Sequence, residues 1–199
     1  MNTNPTNSIG PAETIVRIES AGLDGASARD LFHYADALRM VGRQKESLQA
    51  FDLLERLGIP KGKEYLVRLF WGRTYYDMGR FEDAEVAYRM SAGLNPSTTV
   101  PWVYLASALS AQERFEEAIT VLERAKELPG DPDEVLLNIG LYLRALGRLE
   151  AAAGYLRQAI ELTPAYPQAV EALQDIEAAL ASESETSEAR SRDDATAGK

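Results

Sequence analysis

The feature that most constrains the fold of this chain is a period of 34 residues. Ala84, Ala118 and Ala152 are each 34 residues apart, and bulky apolar residues at positions 71, 105, 139 and 173 keep the same step. Further columns repeat with this step or with its double, namely Phe81, Phe115 and Leu149; Tyr75, Leu109 and Leu143; Gly79 and Gly147; and Pro96 and Pro164. Agreement of several columns at one period indicates a chain built from a repeated supersecondary unit.

Each period predicts two helices. Phe81, Ala84 and Tyr88 follow the i, i+3/i+4 rhythm of one helix face, and Asn95-Pro96 ends that segment. The preceding connection, around Gly79, is short, so the two helices of a period are expected to be antiparallel neighbours. The recurring alanine suits a close approach of two helix backbones. The sequence therefore predicts an all-α stack of antiparallel helix pairs.

The two ends of the chain lack this pattern. Residues 1–27 are predicted to be partly disordered, although Pro11 favours the start of a short helix with Ile15, Val16 and Ile18 on its apolar side. Residues 182–199 contain no aromatic residue and no aliphatic residue larger than alanine. Such a segment cannot bury enough apolar surface to offset its chain entropy, so we predict a disordered acidic tail.

The repeated columns resemble the tetratricopeptide repeat (TPR), a family of helix–turn–helix units. With repeats starting at 65, 99 and 133, the large–small pair of that family falls on Trp71-Gly72, Leu105-Ala106 and Ile139-Gly140. Its turn glycine falls on Gly79 and Gly147, and Glu113 replaces it in the middle repeat. The resemblance implies a TPR-type α-solenoid with repeats near 65–98, 99–132 and 133–166, followed by a C-terminal capping helix at 167–181.

A weaker repeat is predicted near 28–61. Its turn glycine, Gly42, lies 37 residues before Gly79, so the linker around residues 58–63 holds three extra residues. Including this repeat, the predicted solenoid covers residues 28–181.

Composition excludes several chemistries. The chain has 31 acidic against 21 basic residues, a net charge of −10, one histidine and no cysteine. No disulfide, thiolate zinc site or cysteine nucleophile can form. The acidic balance argues against a nucleic-acid surface, and no apolar run approaches the length of a membrane span. The first residues do not resemble a secretory signal. We expect a cytoplasmic protein with no catalytic residues, no metal and no cofactor.

Local motifs offer structural rather than chemical interpretations. His33 has no carboxylate at metal-ligand spacing, and the segment Gly58–Lys63 has the wrong glycine spacing for a phosphate-binding loop. The acids after Asp131 are typical of a helix start, with Pro132 in its first turn. Trp71 and Trp102 occupy packing positions of the repeat, which favours the core over a stacking platform.

The resemblance also implies where a ligand would bind, because the first helices of TPR units line a concave face that holds peptides. The residues expected to contact a peptide are Arg39, Leu69, Arg73, Tyr76, Val103, Ser107, Leu141 and Arg144. The whole predicted lining contains four arginines, Arg29 included, and three acids, Asp36, Asp77 and Glu134. A mildly basic, apolar groove favours a peptide with apolar anchors and some acids. The alternative is that this face is simply solvated and contacts come from elsewhere.

One TPR subtype does not fit. The carboxylate clamp that holds chaperone C-terminal tails requires Lys, Asn and Arg at set positions of three first helices. Counted from the first repeat, these positions hold Phe32, Asp36, Phe70, Val100 and Tyr104, and counted from the second they hold Leu69, Arg73, Tyr104, Glu134 and Asn138. Neither frame supplies the clamp.

The leading functional hypothesis is a non-catalytic interaction module, an adaptor or scaffold that binds a peptide or partner protein. One alternative is a secretion-type chaperone that holds extended export substrates. Another is a self-assembling structural subunit, in which the N-terminal helix or the cap packs against a second copy.

Overall fold

The structure of the protein, a computed structural model, describes the backbone of residues 9–197 and the side chains of residues 9–185. Within that part the chain is all-α. Its helices are α1 (Pro11–Ala21), α2 (Ala28–Met40), α3 (Gln44–Leu57), α4 (Glu64–Asp77), α5 (Phe81–Leu94), α6 (Val100–Ser110), α7 (Phe115–Ala125), α8 (Pro132–Ala145), α9 (Leu149–Leu162) and α10 (Pro167–Ala197). A 3-10 turn, Leu23–Gly25, precedes α2. The helices form two compact units, α1–α5 through Pro96 and α6–α10 from Ser97.

Helix pairs are the building blocks of both units. The closest packing is between α2 and α3 and between α4 and α5 in the first unit, and between α6 and α7 and between α8 and α9 in the second. The helix α10 packs on α9 and, to a smaller extent, on α8, as a capping helix does. The predicted all-α fold class, a TPR-type arrangement of antiparallel helix pairs, is confirmed.

The turn inside each pair is a Schellman motif. The backbone N–H groups of Arg43, Arg80, Arg114 and Arg148 donate to carbonyls five residues earlier, at N···O distances of 2.8, 2.9, 3.0 and 2.9 Å. This motif needs one residue with positive φ just before each arginine. Gly42, Gly79 and Gly147 supply it without strain at φ of 81, 72 and 71°. The turn glycine inferred from the repeat thus has a direct backbone cause.

In the third pair Glu113 occupies this position, with φ of 59°. A residue with a Cβ atom is strained in the left-handed region by roughly 1 kcal/mol or more. We therefore expect Glu113→Gly to raise the free energy of unfolding by about 0.5–1 kcal/mol, because the relief of strain exceeds the added entropy of the unfolded chain. Urea denaturation followed by circular dichroism measures this change in the free energy of unfolding.

The matched control is Gly147→Glu, which places the same side chain at φ of 71° and is expected to lower stability by a similar amount. A loss of stability in Glu113→Gly would contradict the strain argument.

Each pair is held together by a small residue that faces a bulky one 16 positions later. A Cβ atom on Gly72 would lie 2.5 Å from Cε1 of Tyr88, and one on Gly140 would lie 2.8 Å from Cγ of Leu156. The same columns hold Ala106 with Leu122 and Ala35 with Phe51, and these four side chains are all buried. The small residue therefore lets a bulky side chain of the second helix reach the backbone of the first.

The N-terminal helix α1 belongs to the core of the first unit. Ile15 and Ile18 are buried in a cluster with Leu31 and Leu38, whereas Val16 is 62% exposed and does not join the apolar side predicted for it. The hydroxyl of Tyr34 donates to a Glu19 carboxylate at 3.1 Å. The predicted helix start at Pro11 agrees with the structure, while residues 1–8 of the predicted N-terminal segment lie outside the described residues.

Ser27 determines where α2 begins. The backbone N–H of Asp30 donates to Ser27 Oγ at 3.1 Å, and this hydroxyl donates to the Asp30 carboxylate at 2.6 Å. Hydrogen bonds from Ser27 and Arg17 lower the pKa of Asp30, because they stabilise the charged carboxylate. The first helix of the weaker repeat is thus anchored by an N-cap.

The C-terminal helix differs from its sequence prediction. A disordered tail is predicted from residue 182, whereas α10 continues as helix to Ala197. Its last buried side chain among those described is Ile176, and residues 181–185 are exposed. Alanine and glutamate have favourable helix propensities, so a helix nucleated by its packed first turns can continue through the exposed residues 181–185. Composition therefore predicted the lack of packing through residue 185 but not the backbone conformation.

Candidate functional site

In the first unit, the candidate peptide-binding residues lie on α2 and α4. Arg39 bridges these helices: its Nε and Nη2 atoms donate to Asp36 Oδ1 at 2.9 and 2.8 Å, and Nη1 donates to Asp77 Oδ2 at 2.7 Å. Partial burial lowers the pKa of Arg39, but hydrogen bonds to Asp77 and Asp36 outweigh this effect and raise it. The charge of Arg39 is therefore balanced within the protein, and a ligand carboxylate would have to compete with two neighbours.

Arg73 and Tyr76 are half-buried and lie one turn apart on α4. The Arg73 guanidinium sits over the Phe70 ring at 5.0 Å, and Phe70 in turn meets Phe32 edge to face at 4.9 Å. Tyr76 contacts Phe81 with ring centroids 5.1 Å apart. An arginine supported by an aromatic ring beside a tyrosine can contact both the carboxylates and the apolar side chains of a peptide.

Two predicted contact residues are not accessible. The side chains of Leu69 and Val103 are only 4% and 8% exposed. A peptide lying on the described surface cannot reach buried side chains without displacing their neighbours, so these residues form part of the core. Sequence position within the repeat placed these two residues on α4 and α6 but could not distinguish a core residue from a surface residue.

In the second unit, Ser107, Leu141 and Arg144 remain at least partly accessible. The Ser107 hydroxyl donates to the Val103 carbonyl one turn earlier at 3.0 Å, which reduces its freedom to donate to a ligand. Arg144 Nη1 lies 3.5 Å from an Asp175 carboxylate on α10. Of the arginines predicted to contact a peptide, Arg39 and Arg144 thus each lie near an acidic side chain of the protein itself.

Glu134 is the acidic member of the predicted lining in this unit. Partial burial, together with the charges of Asp131 and Asp133, raises the pKa of Glu134 above its ordinary value. The three acids stand at the start of α8, where the helix dipole favours negative charge, and Asp131 occupies the N-cap position without a side-chain hydrogen bond. This agrees with the helix-start interpretation of the segment.

One feature was missed by sequence reasoning, a pocket of about 360 Å³ at the N-terminal ends of α2 and α4. Its lining residues are Ala28, Arg29, Phe32, His33, Leu54, Pro60, Lys63, Leu66 and Val67. The signal in the sequence is the three-residue insertion around residues 58–63, which supplies Pro60 and Lys63 to the lining.

The residues considered for other chemistry have structural surroundings. His33 is exposed and meets the Phe32 ring edge to face at 5.8 Å. Trp71 stacks on Phe51 at 6.3 Å beneath the Arg68 guanidinium, as its packing position predicts. No three acidic or histidine side chains among the described residues lie close enough to hold a metal ion. None of the described helices has both the length and the apolarity needed to cross a bilayer.

Solved structures share this fold. The chain matches MamA, residues 41 to the end, from Desulfovibrio magneticus with a TM-score of 0.67, at 16% identity over 79% of this chain and 88% of that one. It matches the first TPR domain of human RPAP3 with a TM-score of 0.58, at 26% identity over 62% of this chain and 98% of that one. The same RPAP3 domain bound to the HSP90 peptide SRMEEVD matches with a TM-score of 0.57, at 26% identity over 61% of this chain and 96% of that one.

Sequence comparison points to the same repeats. The chain is 28% identical over 173 residues to anaphase-promoting complex subunit 7 of Mus musculus, and equally to the Homo sapiens protein. The match covers 86% of this chain but only 29% of the length of those relatives. The tetratricopeptide repeat family model matches residues 71–132 and 105–170, which together span half of the chain. With the turns, helix pairs and small–bulky contacts described above, this shows that the chain belongs to the tetratricopeptide repeat family.

Proposed function

We propose that this protein is a non-catalytic interaction module, acting in the cytoplasm as an adaptor that binds a peptide or an extended segment of a partner protein. The observation that carries the proposal is the accessible surface of α4, where Arg73 and Tyr76 stand beside the aromatic pair Phe32 and Phe70. The RPAP3 domain, which is similar over its full length, binds the HSP90 peptide SRMEEVD, and this supports a peptide ligand here.

The chemistry of this surface favours an extended ligand. Aromatic rings provide apolar contact area at a low cost in side-chain entropy, and a guanidinium already held over a ring loses little freedom when it contacts a carboxylate. Because Arg39 already forms ion pairs with Asp36 and Asp77, its charge is less available to an acidic residue of a ligand than a count of arginines suggests. The proposed binding residues in the first unit are therefore Arg73 and Tyr76, with Arg39 orienting α2 against α4.

The ligand proposed here is not a chaperone C-terminal tail. Recognition of a terminal carboxylate requires convergent cationic and amide donors. The positions that would supply them hold Phe32, Asp36 and Phe70 on α2 and α4, and their side chains cannot donate to a carboxylate. The similarity to the peptide-bound RPAP3 domain supports the mode of binding and not the identity of the peptide.

The proposal predicts that Arg73→Glu and Tyr76→Ala weaken partner binding. Each is expected to lower affinity about tenfold, equivalent to about 1.4 kcal/mol, because each removes a partly accessible side chain from the surface of α4. Pull-down from the source cell, quantified against wild type by mass spectrometry, measures the effect. Arg56→Glu is the matched control, since Arg56 is an exposed arginine on α3 in the same unit.

Equal recovery of partners by wild type and by both α4 variants would contradict the proposed surface. If the recovered partners are secreted proteins that this chain keeps soluble on co-expression, the export-chaperone hypothesis is favoured over the adaptor. If the partner is the chain itself, light scattering will show a mass that rises with concentration, as expected for a self-assembling subunit.

A further inference from the structure

We propose that the pocket between the N-terminal ends of α2 and α4 binds one apolar side chain of an acidic peptide segment, with Arg29 and Lys63 contacting the carboxylates that flank it. This inference rests on the proposed function, that the chain binds peptides, and assigns a second contact point that uses neither Arg73 nor Tyr76. It concerns a single unit and residues on three helices and one linker.

The interior of the pocket suits an apolar anchor. Leu54 and Val67 are buried and form its floor, and the half-buried Phe32 and Leu66 form its sides. A volume of about 360 Å³ is at the lower end of the range for small-ligand pockets and large enough for a leucine or methionine side chain. Removing such a side chain from water favours a complex, because its apolar surface is then buried against the apolar lining of the pocket.

The pocket depends on the insertion in the linker between α3 and α4. Gly58 and Gly62 adopt φ of 100 and 80°, which turns the chain twice within six residues and brings Pro60 and Lys63 to the rim. The Lys63 N–H donates to the Pro60 carbonyl at 3.0 Å, and the Lys63 carbonyl accepts from the Leu66 N–H, also at 3.0 Å. The linker is thus tied to the first turn of α4, and the pocket is preorganised.

The rim carries positive charge only. Arg29 and Lys63 are both exposed, and none of the described residues that line the pocket is acidic. Within residues 9–185, neither of these two side chains takes part in an ion pair, in contrast to Arg39 and Arg144. In a protein of net charge −10, a cationic rim around an apolar interior is complementary to an acidic segment with an apolar residue.

Selection from a random-peptide phage library on the full-length protein tests the proposal. We expect the peptides enriched on wild type to contain Leu, Ile or Met next to Asp or Glu. Lys63→Glu reverses one rim charge and Ala28→Phe fills the pocket while leaving both cations in place, and each is expected to lower retention of these peptides about tenfold. Lys45→Glu, at an exposed lysine of α3 away from the pocket, should retain them as wild type does.

The outcomes separate the two proposals. If wild type enriches no peptide at all, the proposed function as a peptide-binding module fails. If peptides are enriched but are retained equally by Lys63→Glu and Ala28→Phe, while Arg73→Glu loses them, the protein binds peptides on α4 and the pocket assignment is overturned. Enriched peptides without acidic residues would likewise overturn it. Circular dichroism and thermal melts of all variants exclude unfolding as the cause of any loss.

Discussion

Ala118→Arg is expected to destabilise the second unit by about 4 kcal/mol or more, enough to abolish its cooperative unfolding transition. Ala118 lies on α7 and is completely buried. Its column, shared with Ala84 and Ala152, has no exposed surface in any of the three repeats. A long cationic side chain at this position must either bury its charge out of contact with water or push α7 away from the helices packed against it, and both are unfavourable.

Urea denaturation of the full chain measures this effect. The two tryptophans allow the unfolding of each unit to be followed separately. Trp102 lies on α6 in the same unit as Ala118, and Trp71 lies on α4 in the other unit. Fluorescence of Ala118→Arg in a Trp71→Phe background therefore reports on the second unit alone. Thr120→Arg is the control, because Thr120 is an exposed residue of the same helix. An unfolding midpoint for Ala118→Arg equal to that of Thr120→Arg would contradict the close-approach interpretation of the alanine column.

Gly72→Ala is expected to lower the stability of the first unit by about 1–3 kcal/mol, although alanine is intrinsically the better helix former. The added methyl group would lie 2.5 Å from a ring carbon of Tyr88, well inside van der Waals contact. Tyr88 is only 1% exposed, so its ring is enclosed by the protein and cannot move out into solvent to make room. Overpacking should therefore outweigh the gain in helix propensity.

A second substitution should reverse much of this loss. Gly72→Ala with Tyr88→Leu recreates the pair Ala106 and Leu122, which the chain already uses at the equivalent positions of the next repeat. We expect the double variant to be more stable than the sum of the single effects by about 1 kcal/mol or more, measured as a double-mutant cycle of urea midpoints. Strictly additive effects would show that the glycine is not required by the ring that faces it.

Much of the fold is local information and could be predicted from the chain alone. The turn glycines recur because a Schellman motif needs a residue with positive φ, and the small residue at 72, 106 and 140 recurs because a bulky side chain 16 positions later packs against its backbone. Both requirements act within one repeat, so the same residue types recur from repeat to repeat, with Glu113 as the exception at the turn. The helical backbone of α10 beyond residue 181 was not predictable from low hydrophobicity, because its exposed residues 181–185 are helical by propensity rather than by burial.

The candidate site was predictable only in part. The resemblance to the repeat family pointed to α2, α4, α6 and α8 as the helices to consider and to Arg73 and Tyr76 as contact residues, and the structure shows both of these side chains half-buried. It did not reveal that Leu69 and Val103 are buried, because an apolar residue can stand either in the core or at the surface of such a helix. It also overestimated the positive charge available to a ligand, because the pairing of Arg39 with Asp77 joins residues on different helices.

The sequence by itself determined that this protein is a stack of TPR helix pairs, since the period, the turns and the small–bulky contacts are all encoded within single repeats. Only the tertiary structure decided which charged side chains remain available to a ligand, and where a pocket can hold a ligand side chain. Arg39 is balanced by Asp77 across two helices, whereas Arg29 and Lys63 form no ion pair with any side chain of residues 9–185 and lie beside a pocket formed by α2, α3, α4 and an inserted linker. Ion pairs and pockets arise between elements distant in the chain, and their geometry depends on how those elements pack.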